Sequence, residues 1–95
     1  MPKAYWIANV SVTDPDAYAG YQAIAPEAFA KFGARFLARG AAVTLEGRDW
    51  HRRVIIEFDS IDQARACYDS AEYRAARSQR AGACDADIAI IEAMD

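Results

Sequence analysis

The stretch "FLARGAAVTLEGRDWHRRVIIEFDS", residues 36–60, has the pattern of a β-hairpin. Strand-forming runs flank the turn-forming "GRDWHR" at 47–52, so strands are expected over about 35–46 and 53–58. In the second run, period two puts Val54, Ile56 and Phe58 on one face and Arg53, Ile55 and Glu57 on the other. Gly40 inside the first run predicts a bulge or a close backbone approach. Two charges, Arg39 and Glu57, fall among residues that a sheet should half-bury, and charge at such positions needs a reason.

On the N-terminal side, "AYWIANVSV" (4–12) alternates as a strand, with Trp6, Ala8, Val10 and Val12 on one face and Tyr5, Ile7, Asn9 and Ser11 on the other. "TDPDAY" then starts a helix, with Asp14 as N-cap, Pro15 at the first helical position and Asp16 in the first turn. Tyr18, Tyr21, Ala25, Ala28 or Phe29, and Phe32 make its apolar stripe. Pro26 is expected to kink or divide the helix, and Gly33 to end it. On the C-terminal side, Ser60 and Gln63 form a capping box, Ser70 caps a second helical piece, and "ADIAIIEAM" closes the chain as a strand.

The resulting order, β-α-β-β-α-β, is the ferredoxin-like α+β arrangement, with residues 1–95 as one domain. Two helices cover one face of its four-stranded antiparallel sheet. The other face needs an apolar cover, and a second copy of the same sheet is the simplest, so a homodimer is expected.

The runs "RFLARGAAVTLEG" and "RRVIIEFDSIDQARACYDSAEYRAARSQR" resemble the family called domain of unknown function 1330. The matching positions run from Gly33, Phe36, Arg39 and Gly40 through Glu46, Gly47 and Arg53. They continue with Glu57, Phe58, Tyr68, Ser70, Tyr73 and Arg80. Two positions depart from the pattern: Ala41 stands where a second glycine is common, and Cys67 where an aromatic residue is frequent. The resemblance implies the dimeric α+β barrel superfamily, in which two such sheets pack face to face. That superfamily includes cofactor-free monooxygenases, haem-degrading enzymes and dechlorinating or isomerising enzymes, while the family itself carries no assigned activity. Fold likeness therefore narrows function little.

If Arg39 and Glu57 are cross-strand neighbours, Asn9, Arg39, Arg53 and Glu57 converge on one side of the sheet. Two readings stand. Arg39 and Glu57 form an ion pair that fixes dimer register. Alternatively they line a ligand cleft, Arg39 gripping an organic acid or phenol and Glu57, its pKa raised, acting as general base. Tyr18, Tyr21, Tyr68, Tyr73 and Arg80 complete the candidate ligand-binding set, with core packing as the competing explanation for the tyrosines. The chemistry expected of such a cleft is cofactor-independent proton transfer or oxygenation at most. The competing class is a non-catalytic structural or regulatory dimer.

The lone histidine, His51, lies in the hairpin turn beside Asp49, Arg52 and Arg53 without a second histidine or cysteine at ligand spacing. No metal or cofactor is expected. Ser70 lacks nucleophile-elbow glycines and reads as a cap. A net charge of −3 argues against nucleic acid as partner. No apolar run is long enough for a membrane span, and the N-terminus lacks the features of a signal peptide. Cys67 and Cys84 lie outside any C-x-x-C spacing, so a reduced, cytoplasmic protein is expected.

Overall fold

The computed structural model describes residues 2–94. Along the chain run β1 (Ala4–Val12), α1 (Pro15–Lys31), β2 (Arg35–Gly40), β3 (Arg52–Phe58), α2 (Ile61–Asp69), α3 (Ala71–Gln79) and β4 (Cys84–Glu92). The sheet order is β2-β3-β1-β4 and each neighbouring pair is antiparallel, which is the ferredoxin-like α+β fold.

Local chemistry sets the element ends. Ala17 donates its amide to Asp14 Oδ1 at 3.2 Å, capping α1. At the other end the Ala34 amide reaches Phe29 O and the Gly33 amide reaches Ala30 O, with Gly33 at φ 70°. This is a Schellman motif, and the left-handed position explains the glycine. Helix α1 runs on through Pro26, contrary to an expected division there. Proline removes one helical hydrogen bond, from its own nitrogen to Gln22 O, without ending the helix.

The second helical region does divide at Ser70. That hydroxyl donates to Cys67 O at 2.7 Å and accepts from the Tyr73 amide at 3.1 Å, closing α2 and opening α3. Ser60 caps α2 through the Gln63 amide, whereas the Gln63 side chain turns to Phe32 O rather than completing the capping box.

The hairpin departs from expectation in two ways. Strand β2 ends at Gly40 rather than 46, because β3 begins only at Arg52 and leaves residues 41–46 no strand to pair with. Val43 and Leu45 are accordingly 87% and 89% exposed. The bulge lies between Phe36 and Ala38, not at Gly40, which instead takes φ 143° where the chain leaves the sheet.

Trp6, Ile56, Phe58, Cys67 and Tyr73 are the largest fully buried side chains. They lie between the helices and one sheet face. On the opposite face Ile55 and Ile91 are exposed, and no helix covers them.

Candidate functional site: an arginine-rimmed cavity

Bulging at Leu37 switches the parity of β2. Arg35 pairs with Glu57 and Phe36 with Ile56, but after the bulge Ala38 pairs with Ile55 and Arg39 with Val54. Paired residues share a face. Arg39 therefore stands on the helix side of the sheet and Glu57 on the open side. The expected convergence of Asn9, Arg39, Arg53 and Glu57 is corrected: three of the four share the open face and Arg39 does not.

On that open face Glu57 belongs to an ion network. Its Oε1 accepts from Arg35 Nε at 2.8 Å and Lys3 Nζ at 3.3 Å, and Arg35 Nη2 also reaches Asp59 Oδ1 at 2.8 Å. The Arg35 hydrogen bond holds the Glu57 pKa below its ordinary value, with Lys3 adding to the effect against desolvation. The expected rise in the Glu57 pKa is thus corrected: the carboxylate is stabilised, and it faces away from the helix-side cavity. Arg53, opposite Asn9, is engaged by Thr44 Oγ1 at 3.3 Å and Arg48 O at 3.0 Å, both from the loop that follows β2.

The helix face holds a cavity of about 130 Å³ between the sheet and α1. Its base is apolar, with Trp6, Phe29 and Ile56, all buried. Tyr18 and Tyr21 reach it from α1, Arg39 and Arg52 from the sheet, and Arg80 from the end of α3. Among the described residues no Asp, Glu or His lines it. None of these three arginines makes an ion pair among the described residues. Arg39 stacks over Phe36 at 5.4 Å, and Arg80 over Tyr21 at 5.1 Å, with Arg80 Nη1 3.9 Å from Cys84 Sγ.

The tyrosines act as neutral hydroxyls. Tyr21 and Tyr73 hydroxyls are 2.8 Å apart, and burial raises both pKa values, with the neighbouring phenol adding to the shift at Tyr21. Burial also raises Tyr18, against the pull of Arg52 and Arg80. The cavity thus offers hydrogen-bond donors and positive charge, which can hold an anion or a developing oxyanion. Among the described residues it offers no carboxylate or imidazole to accept a proton.

Of the expected ligand-binding residues, Tyr18, Tyr21, Arg39 and Arg80 meet at the cavity, and Tyr73 supports it from behind through Tyr21. Tyr68 does not line it. Its ring packs 5.7 Å from Trp6, and its hydroxyl accepts from Arg77 Nη1 at 2.7 Å. Asn9, Arg53 and Glu57 lie on the other face. Sequence reasoning missed Arg52 and Gln22. Arg52 was findable, since period two places it with Val54 and Ile56. Gln22, on the solvent side of the apolar stripe, gave no signal. His51 is exposed in the loop, and its amide donates to Ser11 Oγ at 3.2 Å. Among the described residues no group of three His, Cys, Asp or Glu could hold a metal ion, and no helix is long and apolar enough to cross a membrane.

Ferredoxin-like topology and a sheet–helix cavity define an α+β domain class that hosts many functions. Within that class the chain belongs to the family described as domain of unknown function (DUF1330), whose model matches residues 3–94. No curated protein matches it at a significant level. Among solved structures it is similar to a protein of unknown function from Rhodopseudomonas palustris, at 18% identity and TM-score 0.81, covering 99% of this chain and 84% of that one. It is also similar to a dimeric ferredoxin-like protein of unknown function from Bacteroides fragilis, at 17% identity and TM-score 0.68, with 96% of each chain covered. SnoaB, a cofactor-independent oxygenase from Streptomyces nogalater, aligns at 11% identity and TM-score 0.68, over 100% of this chain and 96% of that one.

Proposed function

We propose that the protein, one domain over residues 1–95, is a homodimer in which each copy binds a small organic acid or phenol in the sheet–helix cavity. The observation that carries this reading is the convergence of Arg39, Arg52 and Arg80 on an apolar cavity with no carboxylate in its lining among the described residues. Arginines on the wall of an apolar cavity, with no counter-ion among the described residues, are set up to take one from a ligand. Any reaction supported by this set is stabilisation of an enolate or phenolate oxygen, as in cofactor-independent proton transfer or oxygenation. The substrate then has to be acidic enough to ionise within the field of the arginines. The description of SnoaB as a cofactor-independent oxygenase is compatible with that class.

The dimer buries the open face. Ile7, Ile55, Ala89 and Ile91 share that face by register, with Tyr5 beside them, and a second copy supplies a matching apolar surface. The Arg35–Glu57–Lys3 network lies at the edge of the same face and favours a second role there: the sheet charges build the interface rather than the site. Both cysteines are free, which suits a reducing cytoplasm, and a net charge of −3 leaves nucleic acid and membrane out of this reading.

Native mass spectrometry with a mixture of small carboxylates tests the proposal. The expected result is a dimer carrying acid adducts that disappear in the Arg39→Gln/Arg52→Gln double variant. Adducts that survive loss of both arginines, or none on the wild type, overturn the site. A monomer overturns the dimer.

A further inference from the structure

The strand register sorts the cavity wall into rows. Phe36, Ile56 and Trp6 form one row across β2, β3 and β1, continued by Ile90 of β4. The next row reads Arg39, Val54, Ala8 and Ile88, and the one after it Arg52, Val10 and Ala86. Beyond these, Cys84 opposite Val12 carries Arg80 against its sulfur. Successive rows are two residues apart, about 7 Å along the strand. The cavity is therefore graded, aromatic at the Trp6 row and cationic from the Arg39 row onward.

Three further observations define what fits. On β1 Trp6, Ala8 and Val10 are buried, while on the edge strand β2 Phe36 and Arg39 are exposed, so β1 with Phe29 forms the floor of the cavity and β2 its mouth. The walls of the Trp6 row are rings set nearly perpendicular: Trp6 against Phe29 at 5.2 Å and 76°, Phe29 against Phe36 at 5.4 Å and 85°. Trp6 is enclosed by Phe29, Phe58, Tyr68 and Tyr73, so the exposed ring of Phe36 is the one most open to another aromatic partner. Finally, a volume of about 130 Å³ is close to the roughly 150 Å³ of a dry protein cavity that takes up a single benzene ring.

We infer that the ligand is a monocyclic aromatic acid, held with its ring against Phe36 and Phe29 in the Trp6 row and its carboxylate between Arg39 and Arg52, within reach of Arg80. This rests on the anion site proposed above and adds the size, aromaticity and direction of its occupant. A carboxylate one bond from the ring places its oxygens roughly half a row above the ring centre, on the side toward Arg39. A fused two-ring acid overfills a cavity of about 130 Å³, and a saturated ring loses the edge-to-face contacts.

Calorimetric titration with benzoate, cyclohexanecarboxylate, 2-naphthoate and benzyl alcohol tests the inference, with Trp6 emission followed in a Trp50→Phe background. Benzoate is expected to bind about three- to tenfold tighter than cyclohexanecarboxylate. It is also expected to exceed 2-naphthoate and to perturb Trp6 emission, while benzyl alcohol binds weakest for want of a charge. Phe36→Leu, a change at an exposed rim position that leaves the core intact, should narrow the benzoate preference. Benzoate and cyclohexanecarboxylate of equal affinity, both lost in Arg39→Gln, overturn the aromatic inference while leaving the anion site standing. The same holds if 2-naphthoate is preferred. Binding of none of the acids, or binding indifferent to Arg39→Gln, overturns the anion site itself.

Discussion

Glu57 accepts hydrogen bonds from Arg35 and Lys3 on the uncovered face of the sheet, and those bonds determine how its charge couples to stability. Its native pKa lies below the ordinary 4.5, chiefly through Arg35. A carboxylate with a depressed native pKa contributes stability that is present above the unfolded value and is lost as pH falls through the native one. The difference in thermal midpoint between wild type and Glu57→Gln should therefore be present at neutral pH and vanish in acid, below the native pKa. A difference that persists in strong acid would mean that the side chain acts by packing rather than by charge. The Tyr21–Tyr73 hydroxyl pair makes a second prediction, because Tyr73 is fully buried. Tyr21→Phe leaves that hydroxyl without its partner and should destabilise the fold by about 1–3 kcal/mol. Adding Tyr73→Phe should cost less than the sum of the two single changes, which denaturant unfolding of the four proteins reads directly.

At the ends of helices the sequence was legible, since the chemistry there is local. Asp14, Gly33, Ser60 and Ser70 all do what their residue types announce. Gly33→Ala should lower stability by about 1–2 kcal/mol, because its left-handed conformation crowds a Cβ. The added atom would also meet the Gln63 side chain at 3.2 Å. A midpoint unchanged by Gly33→Ala would contradict the Schellman assignment. The hairpin was legible only in part. Its existence follows from alternation and turn residues, but its register depends on one extra residue at Leu37, and nothing in "RFLARG" distinguishes a bulge there from one at Gly40. That one residue moves Arg39 to the helix side and makes Arg35, not Arg39, the partner of Glu57. The candidate site changed with it, from an open-face polar cluster to a cavity that Arg52 shares. Residues 41–46 show the complementary limit: they have strand propensity but no neighbour to pair with.

In the assembled molecule the two sheet faces divide the work. One packs helices over a core and keeps the arginine-rimmed cavity, and the other carries the ion network beside exposed Ile55 and Ile91. Ile55→Glu places a charge in the middle of the proposed dimer face without touching the core. It should convert the dimer to a folded monomer in sedimentation velocity experiments; an unchanged dimer would locate the interface elsewhere. The central claim is that anions bind on the helix side, at Arg39, Arg52 and Arg80, and not on the open face, which carries Arg35 and Arg53. Arginine Nε–Hε resonances followed by NMR during a benzoate titration test this most directly. The account predicts that Arg39, Arg52 and Arg80 shift in a saturable manner while Arg35 and Arg53 stay in place. Shifts confined to Arg35 and Arg53, or none at any of the five, would contradict it.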